Sequence, residues 1–140
     1  MNKLSCLATL VLAAFAAHAQ VTVDKPWVRA TVSGQTTTAA YLTITSAQGG
    51  KLLDASSAVA ASVEVHEMKM EGDLMKMRSV SLLPLPAGKP VEFKPNGYHL
   101  MMTGLKAPLH AGDVVPLKLV VEDAKGKRET VDVKATARQN

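Results

Sequence analysis

The sequence consists of short runs in which apolar and polar residues alternate, separated by turn-forming residues. Eight runs show the alternation and the Val, Thr and Ile content typical of β-strands: residues 27–32, 39–46, 62–70, 73–80, 90–94, 98–105, 113–122 and 128–135. The Gly, Pro and Asn residues between these runs favour turns. No long segment keeps an apolar period of 3.6 residues, although residues 54–62 fit a single helical turn. The pattern predicts one all-β domain, folded as a Greek-key sandwich or barrel.

Residues 1–19 have the layout of a secretory signal peptide. A lysine precedes an apolar run over residues 4–17, and the small-x-small sequence Ala-His-Ala ends it. This run is too short to span a bilayer comfortably. Cys6 precedes the apolar run, which does not fit attachment of a lipid at that cysteine. We therefore expect export, cleavage after Ala19, no stable membrane insertion and a mature domain of residues 20–140.

Cleavage at this point removes Cys6, the only cysteine of the chain. The mature domain then forms no disulfide, although it enters an oxidising compartment, so its stability has to come from an ordinary hydrophobic core. Loss of Lys3 lowers the formal net charge from +4 to +3, and the remaining basic residues are dispersed. Nucleic-acid-binding surfaces cluster basic residues with aromatic ones. We therefore expect no nucleic acid among the partners.

The methionines are gathered in two windows that also contain histidine. Apart from the initiator, four lie within residues 63–78 and two within the sequence YHLMM. A strand period of two places His66 and Met68 on one face, and Met75 and Met77 on one face of the next strand. A turn at Glu71–Gly72 would make His66 face Met77 and Met68 face Met75, with Cβ atoms about 4.5–5.5 Å apart.

The second window follows a turn signal at Asn96–Gly97. His99 and Met101 share one face of the strand after it, about 6.5–7 Å apart. Met102 points the other way and is predicted to pack in the core. A lone Met or His in a strand is more often a packing residue than a ligand. Two windows that both present His and Met on one face predict a metal site instead.

The donor atoms indicate which metal such a site would hold. Thioether sulfur favours Cu(I), whereas zinc sites use Cys, His and carboxylate ligands. Methionine has no thiol to be lost by oxidation outside the cytoplasm. Only the imidazoles would make binding depend on pH, because they must be neutral to coordinate a metal.

These residues also carry a resemblance to the PCu(A)C family of periplasmic copper chaperones. Ten residues separate His66 from Met77, twenty-one separate Met77 from His99, and Met101 completes His-x-Met. This spacing is similar to the motif of the family, a His, ten residues, a Met, twenty-one residues and His-x-Met. The segments PWVRAT, AAYLTIT and KPNGYHLMMTGLKAPLHAGDVVPLKL also resemble the family. The resemblance covers nearly the whole mature chain.

The resemblance implies a cupredoxin-like or immunoglobulin-like β-barrel that binds one Cu(I) ion. The ligands that it implies are two imidazoles and two thioethers: His66, Met77, His99 and Met101. Met68 and Met75 share the predicted face and are auxiliary candidates outside the motif. The implied role is periplasmic: to supply copper for the CuA centre of cytochrome c oxidase, through subunit II directly or through a Sco-type thiol protein. The chain ends KATARQN, without the Met/His-rich tail that holds a second, Cu(II) site in some members.

Other functions fit the sequence less well. An electron-transfer cupredoxin needs a Cys thiolate, which the mature chain lacks. No Ser-His-Asp set, phosphate loop or catalytic carboxylate pair is found; Glu64 and Glu67 are interpreted as surface residues, as is His110. We therefore expect that the protein is not an enzyme. We also expect it to be a monomer. Two alternatives stay open: a copper-buffering or resistance protein without a specific acceptor, and an immunoglobulin-like interaction module that binds no metal.

Overall fold

The computed structural model describes residues 20–140, and every regular element in that range is a β-strand. The ten strands are β1 (Val21–Arg29), β2 (Thr38–Ser46), β3 (Gly50–Ser56), β4 (Ala60–Glu71), β5 (Leu74–Ser79), β6 (Leu83–Leu85), β7 (Val91–Glu92), β8 (Tyr98–Leu105), β9 (Val114–Glu122) and β10 (Arg128–Arg138). The all-β prediction is therefore confirmed. This described part of the chain has no helix that is long and apolar enough to cross a membrane. The predicted signal peptide lies outside the described residues.

Seven of the strands close into a barrel. They follow the order β4-β8-β2-β1-β10-β9-β3, and β3 returns to β4 through the pairing of Ala55 with Val63. The pairing of β1 with β10 is parallel, and the other strand pairings are antiparallel. The three remaining strands attach at edges: β5 to β4, β6 to β3 and β7 to β2. Closure leaves the barrel strands with few free backbone groups.

The inward residues of the barrel strands form one core. Its largest fully buried side chains include Ile44, Leu52, Leu85, Leu100, Met102 and Leu119. Met102 packs there with Leu100, as the alternation of β8 predicts. The neighbouring residues of β8 consequently face outward, which places His99 and Met101 on the outer surface of the sheet.

The predicted helical turn over residues 54–62 is wrong. β3 runs to Ser56, and β4 already begins at Ala60. A bulge between Leu52 and Asp54 shifts the pairing of β3 with β9. The bulge breaks the two-residue alternation, which is why the sequence pattern did not reveal this strand.

The sequence pattern does not predict β6 either, because Pro84 lies between two predicted strands, where proline favours a turn. Leu83 and Leu85 are buried on either side of this exposed proline. β6 is the last strand of the sheet order, and proline is tolerated on an edge strand because its missing N–H would face away from the sheet.

β4 is the strand that connects the barrel to the β4–β5 hairpin, which carries four of the methionines. Its pairing with β8 ends where Glu67 lies opposite Tyr98. From Met68 onward, β5 is the one described strand that pairs with β4. Every residue of β5 is exposed. The β4–β5 hairpin therefore projects from the rim of the barrel.

Candidate metal centre

The turn of the β4–β5 hairpin lies one residue later than predicted. Glu71 pairs with Leu74, so Gly72 and Asp73 form a two-residue loop. Gly72 has a φ of 63°, a conformation that glycine adopts without steric cost. The prediction placed the turn at Glu71–Gly72, and moving a two-residue loop by one position shifts the strand register by two.

The shift changes which side chains are direct partners. Met68 lies opposite Met77, and Met70 lies opposite Met75. The predicted pairs, His66 with Met77 and Met68 with Met75, are therefore wrong. Because the register changes by an even number, the side chains stay on the faces that the alternation predicts.

β8 brings the second histidine to the first. His66 and His99 are direct partners across β4 and β8, with ring centroids 5.7 Å apart. Met101 follows two residues later on the same face, opposite Glu64. Met77 reaches this face from the hairpin, where its Sδ lies 3.2 Å from Nε2 of His99. The four motif residues thus share one outer surface, at the point where the hairpin leaves the barrel.

His66 is held by a carboxylate. Its Nε2 lies 3.0 Å from Oε2 of Glu64. Because a carboxylate accepts, Nε2 carries the proton in this bond, and Nδ1 of the neutral ring keeps its lone pair. Nδ1 is buried and has no hydrogen-bond partner among the described residues. A carboxylate on the far nitrogen is the usual arrangement for a metal-binding histidine, because it fixes the tautomer and the ring orientation.

In His99 the other ring nitrogen, Nδ1, faces a hydrogen-bond acceptor. Its Nδ1 lies 3.3 Å from the carbonyl oxygen of Gly97, which can only accept, so the lone pair of the neutral ring is on Nε2 and faces Met77. The side chain is buried, and burial lowers the pKa of His99 below its ordinary value of 6.5. The charges of His66 and Arg29 lower this pKa further, against the opposing effect of the Gly97 bond. His99 is therefore neutral near pH 7, the state that a ligand requires.

This donor set fits a soft metal ion. In residues 20–140 no three His, Cys, Asp or Glu side chains lie close enough together to hold a metal ion. A metal site here consequently depends on methionine sulfur. Two imidazole nitrogens and several thioethers match the preference of Cu(I) and differ from the ligand sets of zinc.

The two auxiliary candidates differ in position. Met68 is half-buried and lies directly opposite Met77. Met75 is 44% exposed and lies one step nearer the tip, opposite Met70. Met68 therefore adjoins the motif residues, whereas Met75 is separated from them.

The interpretation of Glu64 as a surface residue missed its contact with His66. Its side chain is 58% exposed, yet its carboxylate accepts the bond that sets the tautomer of this ring. The signal was the two-residue spacing, which places Glu64 and His66 on one face of a strand. The sequence analysis also missed the effect of Arg29 on the pKa of His99. Arg29 lies on β1, far from His99 in sequence, so no local pattern indicates that the two residues are close. His110 is exposed, as predicted.

Comparisons with known proteins give matches along the whole domain. The family model described as LpqE-like, a lipoprotein family, matches residues 21–135. Lxx21020 of Leifsonia xyli subsp. xyli, which is named as a lipoprotein, is 33% identical over 115 residues, covering 81% of this chain and 69% of that protein. RP573 of Rickettsia prowazekii is 30% identical over 123 residues, covering 84% of this chain and 68% of that protein.

Solved structures show the same architecture. The solution structure of Cu(I)-DR1885 from Deinococcus radiodurans superposes with a TM-score of 0.66 at 32% identity, covering 89% of this chain and 83% of that chain. The copper-bound PCuAC domain from PmoF2 superposes with a TM-score of 0.65 at 21% identity, covering 86% of this chain and 95% of that chain. At that identity the second match shows the fold alone. The predicted cupredoxin-like or immunoglobulin-like class is thereby confirmed.

Proposed function

The chain belongs to the LpqE-like family, the PCu(A)C family that its motif indicates, and from this premise we propose that it is a copper chaperone that binds Cu(I). The proposed ligands are His66, Met77, His99 and Met101. The distance of 3.2 Å between Nε2 of His99 and Sδ of Met77 carries the proposal, because it joins a buried imidazole of the barrel to a thioether of the hairpin. DR1885, a relative at 32% identity, has a solution structure in its Cu(I) form.

The proposed location is the periplasm. A family described as lipoproteins supports a place outside the cytoplasm. The composition of residues 1–19 supports export, with cleavage after Ala19. A domain without cysteine is suited to an oxidising compartment, because thioethers do not form disulfides.

The proposed activity is transfer of the ion by exchange of ligands. Met77 is 50% exposed, so an acceptor can reach copper from the hairpin side, while His99 stays buried. Thioethers are neutral, and a thiolate is the stronger ligand for Cu(I). Transfer to an acceptor with two reduced cysteines is therefore downhill. No side chain in this proposal acts as a catalyst.

The first test is an anaerobic Cu(I) titration of residues 20–140 against a chromophoric Cu(I) chelator. We expect one tightly bound equivalent in the parent, and its loss in the Met77→Leu/Met101→Leu variant, whose side-chain volumes are nearly conserved. Equal binding by both proteins would contradict the proposed ligands. Absence of binding in the parent would favour the interaction module instead.

A second test separates a chaperone from a copper buffer. The proposed acceptors are the copper-binding domain of cytochrome c oxidase subunit II and a Sco-type thiol protein. We expect the copper-loaded protein to lose its ion to one of them within mixing time, and to keep it when the acceptor cysteines are replaced by serine. Retention of copper in the presence of both reduced acceptors would identify a buffer.

A further inference from the structure

The β4–β5 hairpin carries more thioethers than the proposed site uses. Met68 and Met77 form one directly opposed pair, and Met70 and Met75 form the next pair towards the tip. Cβ atoms of such partners lie about 4.5–5.5 Å apart, and those of diagonal neighbours about 7–8 Å apart. Methionine has three rotatable bonds beyond its backbone. Three or four sulfur atoms of this face can therefore converge on one ion.

Packing does not account for these side chains. Met70 is 57% exposed and Met75 is 44% exposed, whereas the core residue Met102 is fully buried. Methionine normally serves as a filler of irregular gaps in a core. At the exposed end of a hairpin there is no gap to fill, so the thioether itself is the property that distinguishes these residues.

The two faces of the hairpin differ in chemistry. Lys76 pairs with Glu71 at 3.0 Å, and Arg78 pairs with Glu67 at 2.9 Å, all on the face opposite the methionines. Charged pairs of this kind keep an exposed two-stranded element soluble and in register. The methionine face carries no such pair among its described residues, and it leads directly to His66.

We propose that Met68, Met70 and Met75 form a second Cu(I) site, made of thioethers alone, through which the ion reaches Met77 and His99. The inference rests on the proposed function. Met77 links the two sites, since it lies opposite Met68 and its sulfur is 3.2 Å from Nε2 of His99. Each step forms one copper–ligand bond as another breaks; copper stays Cu(I), and no electron or proton is transferred.

The order of filling follows from the ligands. The proposed site at His66 and His99, called the inner site, has two oriented imidazoles, one of them buried. The second site at Met68, Met70 and Met75, called the outer site, has only neutral thioethers on an exposed hairpin. The inner site therefore binds more tightly and fills first. Weak binding at the outer site is an advantage for an entry point, because the ion has to leave it again.

The test uses methyl resonances of methionine. Residues 20–140 are prepared with ¹³C-methyl methionine and titrated with Cu(I) without oxygen. The first equivalent should shift the methyl signals of Met77 and Met101, and the second should shift those of Met70 and Met75. The buried Met102 serves as the internal reference, because its signal should stay unchanged.

A variant and a matched control assign the effect to the thioethers. Met70→Leu/Met75→Leu should bind the first equivalent within about twofold of the parent, lose the second, and acquire Cu(I) from a chelator several-fold more slowly. Lys69→Arg/Lys76→Arg changes the opposite face at a pair of directly opposed positions. This control should behave like the parent.

The outcomes separate the hypothesis of an outer site from the proposed ligand set of the inner site. If Met77 responds to the first equivalent while Met70 and Met75 stay unchanged through the second, the outer site is wrong and the inner site stands. If Met70 and Met75 respond but Met77 and Met101 do not, the outer site stands and the proposed ligand set fails. If none of these methyl groups responds, both are wrong. Loss of the second equivalent in the lysine control would also overturn the assignment to thioethers.

Discussion

The barrel and the β4–β5 hairpin contribute different halves of the proposed site. β8 lies between β2 and β4, and its His99 is only 6% exposed. β5 pairs with β4 along one edge, and its Met77 is 50% exposed. One half is fixed by pairing on both sides, whereas the other extends into solvent.

This difference would let the proposed site hold an ion and still release it. The imidazoles are oriented by Glu64 and by the carbonyl of Gly97, so the barrel half is preorganised. The thioethers of the hairpin have several rotatable bonds, so the hairpin half adapts at little cost. In the proposed function, the barrel half sets the affinity, and the hairpin half sets the rate of exchange.

The largest effect is expected when a methyl group is added to the barrel. Gly104 on β8 and Gly72 in the hairpin turn both have a φ of +63°. A Cβ at Gly104 would lie 2.6 Å from Cβ of Ala61, whereas a Cβ at Gly72 meets nothing within 4 Å. Both alanine variants have a left-handed strain of about 1–2 kcal/mol, and Gly104→Ala has overpacking of about 1–3 kcal/mol in addition.

Urea unfolding measures this difference. The midpoint of Gly104→Ala should fall well below that of Gly72→Ala, with similar slopes for the two variants. Equal midpoints would mean that Ala61 moves aside for the added methyl group, and that the barrel is no more rigid at Gly104 than the hairpin is at its turn.

The next largest effect is expected at His99, the buried one of the proposed ligands. His99→Gln should weaken Cu(I) binding by more than about 100-fold, because removing a ligand costs more than the 10–100-fold typical of its outer partners. His110→Gln is the matched control, since that histidine is exposed and lies outside the motif. Competition with a chromophoric chelator measures both. An equal effect of the two variants would remove His99 from the site.

A smaller effect is expected at Met77, the proposed ligand on the hairpin. Met77→Leu should weaken binding by roughly 10–100-fold, on the scale of a change beside a metal, because Met68 lies directly opposite and offers a replacement thioether. Release of copper to a chelator, followed by stopped flow, should become faster. A loss as large as that of His99→Gln would show that the hairpin half is as fixed as the barrel half.

The smallest effect is expected at the residue that orients His66. Glu64→Leu should weaken Cu(I) binding by about tenfold, because Nε2 loses its acceptor and the tautomer is no longer fixed. Glu64→Gln keeps an acceptor without the charge, so its affinity should fall between those of the parent and Glu64→Leu. The urea midpoint should be unchanged in both, since the carboxylate is exposed. Identical affinities for the two variants would show that Glu64 does not act through the ring.

The sequence predicted the strand face of each motif residue more accurately than it predicted which residues lie opposite one another. The outward positions of His66, Met77 and His99 followed from alternation, and they remained correct although the register was wrong by two. Alternation is local geometry, so an even shift leaves it intact. The turn of the hairpin was less determined, because Glu71–Gly72 and Gly72–Asp73 both place a glycine in a two-residue loop.

The sequence by itself determined an all-β domain and the outward face of the four motif residues, together with a motif spacing that indicates the family. The tertiary structure decided that β8 lies beside β4, so that His66 meets His99, and that Arg29 adds its charge from β1. It also decided that β3 is a strand despite its bulge. Period-two alternation is a property of each strand alone, whereas strand neighbours are set by closure of the barrel between residues distant in sequence.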